Sequence, residues 1–137
     1  MKKEEIKSID PTNQCFDDAF EFIETELIRN HLNPKPLLKY RLVHAVCLLP
    51  DGEPYAHCWL EDNKEVVFKG LINGTTEAFI FAEKKSFYKE TRVQGKTVYT
   101  MLEMAEMNRK HGTLGPWLPQ YLALTRQGKQ QHSKSNR

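Results

Sequence analysis

The hydrophobic positions of the chain change period once, near Pro36. Before it, Phe16, Ala19, Phe20, Ile23 and Leu27 step by three and four, the spacing of one face of an amphipathic helix. Thr12 and Asn13 precede this stripe as N-cap residues, and Asp17 and Asp18 fall in the first turn, where carboxylates suit the helix dipole. The pattern predicts a helix from Gln14 or Cys15 that stops between Asn30 and Asn33, because Pro34 and Pro36 disfavour helix in the residues before them. After Pro36 the pattern is that of strands. Residues 40–49 are rich in aliphatic and β-branched side chains, Pro50-Asp51-Gly52-Glu53-Pro54 is a turn, and residues 55–61 alternate, so a β-hairpin is expected. Asp62-Asn63 makes a second tight turn into residues 65–68, completing a three-stranded antiparallel meander. Residues 70–74 read as a loop, 76–81 as a fourth strand and 82–90 as a short helix. Thr100 and Glu103 form the Ser/Thr-x-x-Glu capping box of a last helix that ends at Gly112. The fold class is α+β: an N-terminal helix packed on an antiparallel sheet, with a C-terminal helix.

Composition narrows this picture without redirecting it. A chain of 137 residues, 39% hydrophobic and 28% charged, suits one compact domain, expected over 13–125 behind a flexible leader at 1–12. No apolar run approaches the roughly 20 residues that span a bilayer. The lysines of the first residues have no apolar stretch behind them, so a cytoplasmic protein with no membrane contact is expected. The three cysteines argue against a disulfide framework, and with no Cys-x-x-Cys pair neither a structural metal nor another cofactor is expected. The formal charge of +2 is uneven. Residues 126–137 hold four basic groups and no acidic one, leaving 16 basic against 18 acidic groups in the rest. That tail reads as disordered. The folded part shows no basic face interleaved with aromatic residues, so no nucleic-acid partner is expected for it.

The candidate chemistry is a thiol and an imidazole. Cys15 stands at a helix start, where partial positive charge and free N–H groups lower a thiol pKa. His57 lies on a strand, in the place from which a thiol enzyme draws its general base. Tyr55, His57, Trp59 and Glu61 share one face of that strand, whereas Cys58 faces away. A hairpin closing symmetrically about Gly52 sets Cys47 opposite His57 as a second thiol. Cys47 sits mid-strand between Val46 and Leu48, the setting of a small buried hydrophobe, so Cys15 is preferred. His44 falls on the face opposite Cys47 and reads as structural. Trp59 and Trp117 read as core anchors, and Met101, Met104 and Met107 as helix packing.

Four segments carry a family resemblance: Asn13-Gln14-Cys15-Phe16-Asp17-Asp18-Ala19, Arg41-Leu42-Val43-His44-Ala45, His57-Cys58-Trp59-Leu60-Glu61 and Gly112-Thr113-Leu114-Gly115-Pro116-Trp117. Together they resemble small phage and bacterial proteins of the papain-like cysteine-peptidase and transglutaminase-like superfamily. The resemblance implies a papain-like core with Cys15 as nucleophile and His57 as general base. It also implies an oxyanion hole from the Cys15 backbone N–H and a side-chain amide such as Asn13 or Gln14. The implied reaction is hydrolysis or acyl transfer at an amide, ester or isopeptide bond of a peptide or protein substrate. Relatives carry an acid near the end of the strand after the histidine, where this chain has Lys69, and lysine accepts no hydrogen bond from an imidazole N–H. Asn73, four residues on, is the nominee to orient the ring. The same departure supports an alternative, a catalytically degenerate domain that binds a protein or peptide in the old cleft. A third is a phage-type adaptor or inhibitor.

Overall fold

A computed structural model describes residues 14–124. The leader 1–12, Asn13, residue 125 and the tail 126–137 lie outside the described residues. Helix α1 (Gln14–Arg29) begins where the cap signals and the apolar stripe place it, and it buries Cys15, Phe16, Ala19 and Phe22. Two left-handed residues, His31 and Leu32 (φ 56° and 66°), end it ahead of Pro34 and a 3-10 turn (Lys35–Leu37).

Four strands then run as a meander: β1 (Arg41–Leu48), β2 (Pro54–Glu61), β3 (Glu65–Ile72) and β4 (Thr76–Glu83). Helix α2 (Lys84–Thr91) leads to β5 (Gly95–Thr100), which returns to pair with β1. The sheet order is β4-β3-β2-β1-β5, with every neighbouring pair antiparallel. Helix α3 (Met101–His111) is opened by the capping box, in which Glu103 N–H donates to Thr100 Oγ1 (3.1 Å) and Thr100 N–H to Glu103 Oε1 (2.9 Å). It closes on Gly112 at φ 70°. A single turn, α4 (Pro119–Leu122), follows.

The sheet carries apolar groups on both faces. On one, Leu42, Ala56, Cys58, Leu60, Val67 and Tyr99 pack with α1, Met104 of α3, Trp117 and Tyr121 of α4. On the other, Val43, Ala45, Cys47, Tyr55, Trp59, Val66 and Phe68 pack with Phe87 of α2. Buried on both sides, β2 has only Pro54 partly exposed, the near-continuous burial of a central strand.

Three details depart from the sequence pattern. The first hairpin centres on Asp51, not Gly52: Leu49 and Glu53 close the loop 50–52, with Gly52 at φ 90°. Cys47 therefore faces Tyr55, and His57 faces Ala45. Residues 70–72 belong to β3, because Asn73 and Gly74, both at positive φ (55° and 72°), make the reverse turn into β4. Finally, β5 and α4 fill stretches to which the pattern assigns no element.

Candidate functional site

Along their shared side, β3 and β4 pair over the whole of both strands, from Glu65↔Glu83 to Ile72↔Thr76. By contrast, β2 and β3 pair only at Leu60↔Val67 and Glu61↔Val66, next to their turn. Beyond Leu60 the two strands part, and the first turns of α1 lie over the opening. The result is a cleft of about 300 Å³ lined by Gln14, Cys15 and Asp18 of α1, His57 and Cys58 of β2, and Lys69 of β3. That volume is at the small end of ligand sites, roughly 300–1,000 Å³.

Cys15 is the second residue of α1 and is 7% exposed. It belongs to the apolar cluster that also holds Phe16, Ala19 and Cys58. The dipole of α1 favours a thiolate there, and the carboxylate of Asp18, which lines the same cleft, opposes one. Gln14 is exposed beside it.

His57 is 1% exposed. Its ring lies against Tyr55 and Trp59, each at 5.6 Å between centroids, and against Phe87 at 6.2 Å. These neighbours belong to the α2 face of the sheet, whereas Cys15 and Cys58 belong to the α1 face. Strand alternation puts His57 and Cys58 on opposite sides of β2, so Cys15 and His57 approach the cleft from opposite faces of the sheet. Neither ring nitrogen of His57 has a hydrogen-bond partner among the described residues. Burial pushes its pKa down to about 3, so the ring is neutral.

The remaining polar groups have other duties. Glu61 Oε1 accepts from Trp59 Nε1 (2.9 Å) and from the Tyr88 hydroxyl (2.6 Å), and Oε2 pairs with Lys84 Nζ (2.7 Å). Burial pushes its carboxyl up, but the bonds from Lys84, Tyr88 and Trp59 outweigh this and hold it below the usual carboxylate range. Glu61 thus anchors Trp59 and α2. Lys69 turns toward α1, pairing with Glu21 (2.9 Å) and lying 3.8 Å from Glu77. The Glu21 bond holds its pKa above the usual lysine value. Asn73 sits exposed at the β3–β4 turn and does not line the cleft. Cys47 is fully enclosed, and burial raises its thiol to about 12. Among the described residues no group of three or more His, Cys, Asp or Glu could hold a metal ion, and no helix is long and apolar enough to cross a membrane.

No protein-family model matches the chain, and no curated protein or solved structure matches it. Two arrangements, one in the cleft and one beside it, carry no sign in the sequence pattern. One is the parting of β2 from β3, together with the carboxylates of Asp18 and Glu77 that line the opening. The other is the setting of His44, a structural residue as its strand position suggests, fully buried on the α1 face among Phe16, Tyr99, Trp117 and Tyr121, with neither ring nitrogen partnered among the described residues and a pKa lowered by burial to about 3. The alternation of β1 does place His44 and Cys47 on opposite faces. The aromatic box around His44 comes from four separate segments, which no local pattern connects.

Proposed function

We propose that this chain is a peptide- or protein-binding domain built on a thiol-enzyme-like core, with the cleft between β2 and β3 as its binding site. The observation that carries this reading is the state of His57: enclosed, neutral, and without an acceptor to fix its tautomer. A general base must hold a proton at the pH of use, and its second nitrogen is normally oriented by a carboxylate or amide. Moving a proton from a thiol of ordinary pKa to a ring at about 3 is uphill by about 7 kcal/mol before any mutual attraction is counted. Asn73 stands at the β3–β4 turn and does not line the cleft, Glu61 is saturated by three donors, and Lys69 is held by Glu21.

A second reading, a cysteine hydrolase or acyltransferase acting on an amide, ester or isopeptide bond, is favoured by one fact. Cys15 at a helix start and His57 on a strand line the same cleft. Alkylation separates the two. Iodoacetamide labelling of Cys15, followed across pH by mass spectrometry, should have the same rate and pH profile in His57→Ala as in the native protein. A plateau of fast labelling below neutral pH that disappears in His57→Ala, or turnover of peptide, ester or isopeptide probes, would establish the enzyme instead.

A further inference from the structure

The backbone of β3 indicates what enters the cleft. In an antiparallel strand, alternate residues turn their N–H and C=O to alternate neighbours. Asp62 N–H donates to Glu65 O (2.9 Å), and the ladder continues at Leu60↔Val67 and then stops. Glu65 and Val67 therefore bond toward β2, and Lys69 and Leu71 turn their backbone groups the same way, into the opening. Residues 66, 68, 70 and 72 serve β4, consistent with Lys84 N–H donating to Lys64 O (2.9 Å) at the start of that ladder. The inner edge of β3 beyond Val67 thus offers strand-pairing groups with no ladder partner among the described residues.

The side chains around this edge are unequal in charge. Asp18, Glu21 and Glu77 surround Lys69, three carboxylates to one ammonium, a local net of −2. His57, 1% exposed, lines the same cleft with both ring nitrogens unpartnered. Its ring packs on the α2 face against Tyr55, Trp59 and Phe87, so the contacts open to a ligand are the β3 edge and the acidic rim.

We propose that the cleft seats a short extended peptide by strand addition along the Lys69–Leu71 edge of β3, with a lysine or arginine side chain of the peptide directed at Asp18 and Glu77. The proposal rests on the binding-domain reading above and adds the mode of seating and the chemistry of the ligand. Main-chain hydrogen bonds would provide affinity and the acidic rim the preference among side chains.

The test is a titration of the full-length, ¹⁵N-labelled protein, followed by amide resonances, with three probes. These are acetyl-Ala-Val-Lys-Val-Ala-amide, the same peptide with glutamate in place of lysine, and the lysine peptide N-methylated at its two valines. The lysine peptide should shift the amides of Lys69, Gly70 and Leu71, the glutamate peptide should bind at least about fivefold more weakly, and N-methylation should abolish the shifts. Glu77→Gln and Asp18→Asn should each weaken the lysine peptide by about two- to fivefold, the range for a partly exposed charge. Equal binding of lysine and glutamate peptides, undiminished binding after N-methylation, or no shift at residues 69–71 into the millimolar range would overturn the seating. Cleavage of the lysine peptide during the titration would overturn the underlying non-catalytic reading instead, so the two failures are distinguishable.

Discussion

Acid should unfold this domain through its two buried histidines. His44 and His57 are each held neutral by burial, with pKa values near 3 against an ordinary 6.5. A group whose folded pKa is depressed stabilises the fold above its unfolded pKa and loses that contribution as pH falls toward the folded value. The window is therefore pH 6.5 down to about 3. Within it each ring contributes a slope of about 1.4 kcal/mol per pH unit. Together they remove about 5 kcal/mol between pH 6.5 and about 4.5, comparable with the whole stability of a small domain, roughly 5–15 kcal/mol. Glu61, whose folded pKa is also lowered, adds to the loss at the acidic end. Urea unfolding monitored by tryptophan fluorescence, repeated at half-unit steps from pH 7.5 to about 4.5, measures the slope directly. The expectation is about 2.7 kcal/mol per pH unit between about pH 6 and 5, halved in His44→Leu and halved in His57→Leu. A native slope below about 1 kcal/mol per unit, or one that neither substitution changes, would refute the reasoning.

Other consequences follow from single contacts. Glu61→Ala strips Lys84, Tyr88 and Trp59 of a shared acceptor and should cost about 3 kcal/mol, read as a lower urea midpoint with altered tryptophan emission. Gly115→Ala places a methyl group 3.0 Å from His44 Cε1 and 3.2 Å from Phe16 Cδ1 at a residue with φ 114°. A loss of about 2 kcal/mol or more is expected, and an unchanged melting temperature would show that this packing is loose. Lys69→Asp removes the cation that faces Glu21 and Glu77 and leaves the new acid on the α1 face. It should lower stability by about 1 kcal/mol without speeding alkylation of Cys15; faster alkylation would count for a lost catalytic acid at this position.

Much of the fold was legible because its signals are local. The stripe from Phe16 to Leu27, the Asp51-Gly52 turn and the Thr100–Glu103 box each name an element from within a few residues. β5 was not, since only Tyr99 of its six residues is buried and the strand is an edge of the sheet. The register of the first hairpin turned on whether Gly52 lay at the centre of its loop or after it, a difference of one residue that moves Cys47 from His57 to Tyr55. Cys15 and His57 could be named as a pair, but their approach from opposite faces of β2 could not. That depends on which face of the sheet α1 covers, which is set by tertiary packing and not by any spacing along the chain. Glu61 shows the reverse case. Its position two residues after Trp59 on the same strand face already contained the bond that the structure makes.

The measurement that bears most directly on the cleft is the titration of His57 in the intact protein. With ¹³C-labelled histidine and cysteine, the His57 Cε1 and Cys15 Cβ resonances are followed together from pH 8 down to about pH 5, above the acid transition expected here. The predicted result is a His57 ring that stays neutral throughout and a Cys15 signal that reports an uncharged thiol at neutral pH, with no inflection in common. A charged imidazole at neutral pH, titrating with Cys15 as one thiolate–imidazolium pair, would contradict the binding-domain reading and establish a working Cys15–His57 couple.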